Sequence, residues 1–356
     1  MCNDVRMTTV SQQAERFLAD LAVRRRRPAK PATLKAYRSY LDNWIIPQLG
    51  PVELGSIENG VMKGFVNHLV EHNLSPATVG GAVTVLKALI GSETDGNGNR
   101  LHPRDWNQGY IDAPAVNPDA QKSPVVTQKQ LNGALIRASR PYQAFYGLQA
   151  STGLRMGEML ALRMGPDTGS GTGSGSFLDL EQKVVYVRSA MYDRQEQSTK
   201  STAGVREVDL CQSIVPWLKE RFNERKQGER LFQTRFATLW HVASIYRHLE
   251  RDEIPGTHSL RRFRTTHLEN MSVPRVLVDY WTGHAGKAIT DRYTKLGQSI
   301  NARKNWCKRA GLGFQLPGDN DETQIEYLYG ADEQENEILE PGADSGEESR
   351  ECSEAI

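Results

Sequence analysis

The chain has 356 residues with 44 Lys or Arg against 43 Asp or Glu, a length that suits two domains with separate cores and, lacking any long apolar run or signal peptide, excludes membrane and export readings. Its balanced charge conceals a division: residues 317–356 hold 14 acidic residues against the single basic Arg350, so residues 1–316 carry 43 basic against 29 acidic ones. A basic body suits a polyanion and an acidic tail suits a solvated, disordered segment, while Cys2, Cys211, Cys307 and Cys352 are scattered as the reduced thiols of a cytosolic protein are.

Residues 10–91 carry four helical patterns. Ala14, Phe17, Leu18 and Leu21 form the first apolar stripe, and Thr33 is expected to cap a second with Leu34, Tyr37, Leu41, Trp44 and Ile45 on one face. Val61, Phe65 and Leu69 mark a third. The fourth opens with Ser75-Pro76, a cap followed by proline at the first helical position, and runs through Val79, Val83, Leu86 and Ile90. Helices this short and polar outside pack together as a bundle. The basic run Arg24–Arg27 with Lys30 lies in the loop after the first helix, either as a solvated charge run or as a contact to a DNA backbone.

Residues 92–125, which begin within the G-S-E-T-D-G-N-G-N-R stretch of 91–100 and continue with scattered prolines, read as a linker. Helical patterns follow at 128–139 and 142–151, then a turn at Thr152-Gly153 and a helix from 155. The glycine-serine tract at 165–176 reads as a surface loop. V-V-Y-V at 184–187 and V-R-E-V-D-L at 205–210 read as two strands of a small antiparallel sheet, joined through the segment bearing Lys200, and the chain through 315 is helical again.

The candidate chemistry lies in this second half. Arg155, in T-G-L-R-M-G-E, stands where a turn enters a helix, with Glu158 one turn on; alone, that spacing is also that of a surface ion pair. His258 and Arg261, in H-S-L-R-R-F-R-T-T-H, share a helical face, so a second guanidinium and an imidazole can converge on one anion. His284 follows an apolar helix, and Tyr293 stands nine residues beyond it. A tyrosine near such cations is equipment for attacking a phosphodiester. His258, His267 and His284 match no compact zinc spacing; Lys183 rivals Lys200, and Tyr280 and Tyr327 rival Tyr293, by residue type alone.

The ordered series T-G-L-R-M-G-E, T-K-S-T-A-G-V-R-E-V-D-L, H-S-L-R-R-F-R-T-T-H and G-H-A-G-K-A-I-T-D-R-Y-T resembles the boxes of the tyrosine recombinases, the phage-integrase and Xer-like family. The resemblance implies a mainly α protein with a small antiparallel β-sheet: a helical, core-type DNA-binding bundle over 8–91, the 92–125 linker, a mixed α/β catalytic domain over 126–316, and the acidic tail 317–356. A separate arm-binding domain ahead of the bundle is not expected. Arg155, His258 and Arg261 would hold the scissile phosphate, Lys200 would protonate the leaving 5′ oxygen, His284 would bond the phosphate region, Glu158 would support the site, and Tyr293 would be the nucleophile. No cofactor and no metal are implied. The implied partners are double-stranded DNA with a specific recombination site, a homotetramer on two DNA sites and accessory DNA-bending proteins, in the cytoplasm and on the nucleoid. The function implied is site-specific recombination through a 3′-phosphotyrosine, for integration or excision of a mobile element. A type IB topoisomerase-like enzyme and a catalytically inactive DNA-binding relative are the alternatives. Arg262, where many relatives have histidine, departs from the pattern.

Overall fold

The computed structural model describes residues 8–26, 28–117, 124–166, 175–199, 202–284 and 299–318. Lys200, Tyr293, Tyr327, the middle of the glycine-serine tract and nearly all of the acidic tail therefore lie outside the described residues. The chain divides into two compact units between Gln121 and Lys122. No helix among the described residues is long and apolar enough to cross a membrane.

In the first unit, helix α1 (Val10–Val23) begins at a capping box. The Thr9 hydroxyl accepts from Gln12 N at 3.4 Å and the Gln12 side chain accepts from Thr9 N at 3.1 Å. Helix α2 (Pro31–Tyr40) starts three residues earlier than the Thr33 cap expected from sequence. Pro31 at its first position has φ already set for a helix and no N–H to satisfy, so Lys30 takes the cap position and Thr33 falls inside. A π-helical turn over Leu41–Ile45 joins α2 to α3 (Ile46–Leu49), and α4 (Asn59–Glu71) and α5 (Pro76–Ile90) complete the bundle. Ser75 caps α5 by accepting from Thr78 N at 3.1 Å, with Pro76 behind it. Phe17, Leu41, Ile45, Phe65, Leu69 and Leu86 fill the core.

Residues 93–113 are not a bare linker. His102 Nε2 meets Glu93 Oε2 at 2.8 Å, the Arg104 guanidinium donates to the carbonyls of Gly55 and Ile57, and Asn59 bridges Asp105 O and Asn107 N. Ile111, ending the short helix α6 (Gln108–Ile111), is buried in the first core. This docking rests on single apolar residues and backbone carbonyls, which leave no periodic pattern to read.

The second unit opens with α7 (Gln128–Arg137), α8 (Arg140–Thr152) and α9 (Met156–Ala161). Every residue of α8 from Tyr142 onward is buried, so it runs through the core rather than over it. Strand β1 (Arg163–Met164) pairs parallel with β2 (Phe177–Asp179), which pairs antiparallel with β3 (Val184–Val187). The expected pairing follows: β3 runs antiparallel to the last strand, β6 (Arg206–Asp209), with Val184 opposite Asp209 and Val187 opposite Arg206. Between them stands a separate hairpin, β4 (Ser189–Tyr192) and β5 (Gln195–Ser198), that the sequence did not announce. Its polar strand β5 lacks the alternation that marks a half-buried strand.

Helices α10 (Ile214–Arg221), α11 (Val242–Arg251), α12 (Thr257–Asn270), α13 (Arg275–Thr282) and α14 (Ile300–Ala310) complete the unit. The last helix folds onto its own unit: Cys307, Ala310, Leu312 and Phe314 are buried in the core, and Arg303 pairs with Glu207 at 2.6 Å and Asp209 at 3.1 Å on β6.

Candidate active site

Two glycine-ended helices set the site. Gly153 closes α8 and Gly283 closes α13, both left-handed with φ of +69° and +68°, which turns the chain out of each helix at once. Arg155 therefore emerges two residues after Gly153 as the N-cap of α9, and His284 immediately after Gly283.

Glu158, three residues into that junction, is 3% exposed. Its carboxylate accepts from Arg155 N at 2.9 Å and Arg155 Nη1 at 3.0 Å, and from Arg206 Nη1 and Nη2 at 3.0 and 2.9 Å. Burial alone would raise its pKa, but the hydrogen bonds and charge of Arg206, then those of Arg155, hold it below the ordinary carboxylate value. The bidentate fork of Arg206 suits that task. Glu158 thus fixes Arg155 by both its backbone and its side chain.

Arg261, on the second turn of α12, is 5% exposed and aims inward. Its Nη1 donates to Gly153 O at 2.6 Å and its Nη2 to Thr282 O at 2.5 Å, so the carbonyls beside the two helix ends hold it. The same Nη2 lies 3.0 Å from His284 Nε2. Burial, and then the positive charge of Arg155, lower the Arg261 pKa to about 9. Among the described residues its hydrogen-bond partners are carbonyl oxygens and an imidazole, with no carboxylate hydrogen-bonded to it. A buried cation facing another cation makes a place where an anion is favoured.

His284 has its pKa lowered by burial, then by Arg261 and Arg155, which keeps the ring neutral and its Nε2 able to accept from Arg261. Its Nδ1 is 3.3 Å from Thr282 Oγ1 and 3.7 Å from Asp279 Oδ1. His258 stands one turn ahead of Arg261 on α12, exposed. The structure therefore brings Arg155, Glu158, Arg261 and His284 together and keeps His258 on the same helix, at the surface. Lys200 follows Thr199 at the end of the β4–β5 hairpin, and Tyr293 falls between His284 and Ser299; both lie outside the described residues.

The competing residues have other work. Lys183 sits in the tight turn before β3 at φ +59°. Tyr280 accepts from Arg303 Nη1 of α14 at 2.6 Å and from Glu207 N of β6 at 3.4 Å, and has its pKa raised by burial. His267 meets Ala310 O at 2.8 Å, and Arg262 donates to Pro124 O at 2.9 Å. Among the described residues no group of three or more His, Cys, Asp or Glu is placed to hold a metal. One residue of the site was missed. Arg206 lies on the buried face of β6 beside Val208, and a charge at an apolar strand position was the available signal, because it demands a buried counter-charge.

The phage integrase family model matches residues 125–299, and the chain belongs to that family, the tyrosine-type site-specific DNA recombinases. Among solved structures, the integrase of the Tn1549 transposon in complex with transposon right-end DNA is 17% identical, at a TM-score of 0.61 over 90% of this chain and 100% of that one. A lambda integrase tetramer bound to a Holliday junction is 14% identical, at a TM-score of 0.54 over 81% of each chain. At such identities the likeness establishes a common fold. No curated protein sequence matches the chain. As a member of that family the protein is a site-specific DNA recombinase.

Proposed function

We propose that the chain cuts and rejoins DNA at a specific site for integration or excision of a mobile element, through a 3′-phosphotyrosine on Tyr293. The observation that carries this is the cradle of Arg155, Arg261 and His284, two guanidiniums and an imidazole converging with no carboxylate hydrogen-bonded to Arg261 among the described residues. The scissile phosphate would sit against it, with His258 joining from the first turn of α12. The Tyr293 phenol oxygen attacks phosphorus, the bond to the 5′ oxygen breaks, and that oxygen takes a proton from Lys200 while the phenolic proton leaves to a nearby acceptor. A phenol of pKa about 10 is a poor nucleophile at neutral pH, so the fixed cations facing the charge that builds on phosphorus contribute most of the acceleration. The phosphotyrosine conserves the bond energy, and no nucleotide cofactor or metal takes part.

The first unit would serve as the core-type DNA-binding domain. A homotetramer on two DNA sites fits a strand exchange in which each copy supplies one tyrosine, and accessory DNA-bending proteins would help assemble it in the cytoplasm. The lambda integrase tetramer on a Holliday junction supports that stoichiometry by analogy.

The test begins with selection of bound duplexes from a random library by the full-length protein, which supplies the site. On a nicked duplex carrying it, the wild type should form a covalent protein–DNA adduct, whereas Tyr293→Phe should bind the duplex equally and form none. An adduct with Tyr293→Phe would overturn the assignment.

A further inference from the structure

Thr282, the last residue of α13, holds two members of the cradle at once. It is fully buried. Its carbonyl accepts from Arg261 Nη2 at 2.5 Å, and its hydroxyl oxygen lies 3.3 Å from His284 Nδ1. The place of each proton follows from what the neighbours can do. A guanidinium only donates, so the 3.0 Å contact between Arg261 Nη2 and His284 Nε2 requires a lone pair on Nε2. In the neutral ring the proton then sits on Nδ1. The Thr282 hydroxyl directs its own proton to Val278 O at 2.7 Å, one turn back in the same helix, which leaves its oxygen to accept from Nδ1. Asp279 Oδ1, 3.7 Å from Nδ1, is beyond hydrogen-bond reach and is taken by Arg275 Nε at 3.1 Å. His284 N donates to Asp279 O at 2.9 Å, so the backbone that carries the ring is fixed as well.

We propose that Thr282 is a positioning residue: its hydroxyl fixes the tautomer of His284 with the proton on Nδ1, so that the cradle meets the phosphate with a proton acceptor at Nε2. The proposal rests on the cradle reading above. The opposite tautomer would turn an N–H against the Arg261 guanidinium, two donors face to face. It would also set a bare Nδ1 against an oxygen whose proton already points to Val278 O. Burial and then the charges of Arg261 and Arg155 lower the His284 pKa, with Arg275 adding to them and Asp279 opposing. The neutral ring, the only form that has a tautomer, is therefore favoured. Because the carbonyl holds Arg261 and the hydroxyl holds His284, a change of side chain at Thr282 releases only the histidine.

Full-length wild type, Thr282→Val, Thr282→Ser and His284→Gln, each checked for folding by thermal melting, are labelled with nitrogen-15 histidine. Ring nitrogen shifts are read by NMR at about pH 8, above the unperturbed histidine value of about 6.5. His284→Gln removes one ring's signals and so identifies them among the eight histidines. Wild type and Thr282→Ser should show Nδ1 protonated and Nε2 bare, whereas Thr282→Val should show the proton moved in part or whole to Nε2. On the selected nicked duplex Thr282→Val should form adduct about 2- to 10-fold more slowly, the size of one hydrogen bond. Thr282→Ser should recover the wild-type rate, and Thr282→Val should add no further loss to a His284→Gln chain. A wild-type ring protonated on Nε2 overturns the proposal without any variant, as does a Thr282→Val ring unchanged from wild type. An equal further loss in the His284→Gln chain would give the hydroxyl a purely structural role and also overturn it. If His284→Gln forms adduct at the wild-type rate, the cradle reading falls and takes the proposal with it, a failure told apart by a tautomer that still answers to Thr282.

Discussion

Glu158→Ala is the substitution whose cost the structure defines most closely. It leaves the Arg206 guanidinium, 1% exposed, with two carbonyls and no counter-charge, and breaking a buried pair in this way costs about 3–5 kcal/mol. Arg155 N loses its acceptor as well, the returning half of a capping box, a hydrogen bond to a charged group worth about 1.5–3 kcal/mol. Against a domain stability of about 5–15 kcal/mol, that is a large share. Arg206→Met fails differently. Arg155 still serves the carboxylate, but Gly204 O and Trp281 O are stranded, at about 1–3 kcal/mol for each buried group. The double variant removes both charges, so it should be less destabilised than the sum of the singles by about 2–3 kcal/mol. Hydrogen exchange of the full chain, followed at amides of α9, α12 and α13, measures this without assuming that two units unfold in one transition. Additive losses would show that the pair is not a coupled unit and would refute the reasoning.

Two further outcomes are expected. Truncation after Thr294 removes Arg303, Cys307, Ala310, Leu312 and Phe314 from their own core, so the catalytic unit should lose its cooperative melting rather than lose recombination alone; a truncated chain that melts as the full one does would contradict the cis packing. Because burial and the neighbouring arginines lower the His284 pKa, the unfolded chain takes up that proton first, so stability is full above about pH 6.5 and is lost as pH falls from there toward the folded value. His267 acts with the same sign, and His284→Gln should therefore flatten part, not all, of the acid-side decline in urea midpoint; an unchanged slope would exclude His284.

Much of this protein was legible because its signals are local. The stripes of α1, α4 and α5, the Ser75-Pro76 start and the glycine ends of α8 and α13 each depend on residues a few places apart, and the ordered boxes placed Arg155, Glu158, Arg261 and His284 together. What escaped depends on distant partners. Thr33 was read as a cap because nothing in its own neighbourhood favours Lys30 until proline at the first position is weighed. Residues 93–113 looked like linker because their anchors, Gly55, Ile57 and Asn59, lie far back in the chain. Arg206 showed only as one charge in a strand, since its meaning lies 48 residues away in Glu158.

The arrangement around Asp209 joins two places well apart in the chain. Trp281 donates to this carboxylate at 2.9 Å just ahead of the 285–298 segment, and Arg303 pairs with it at 3.1 Å just after. Both ends of the span that carries Tyr293 are therefore tied to one residue of β6. The closure of that span is made when the described residues at its two ends fold, and its entropic cost belongs to folding. Closure entropy grows by only about 0.6 kcal/mol per doubling of loop length. Lengthening that span should thus cost the fold little, whereas loss of the charge on buried Asp209 that faces Arg303 should cost it more.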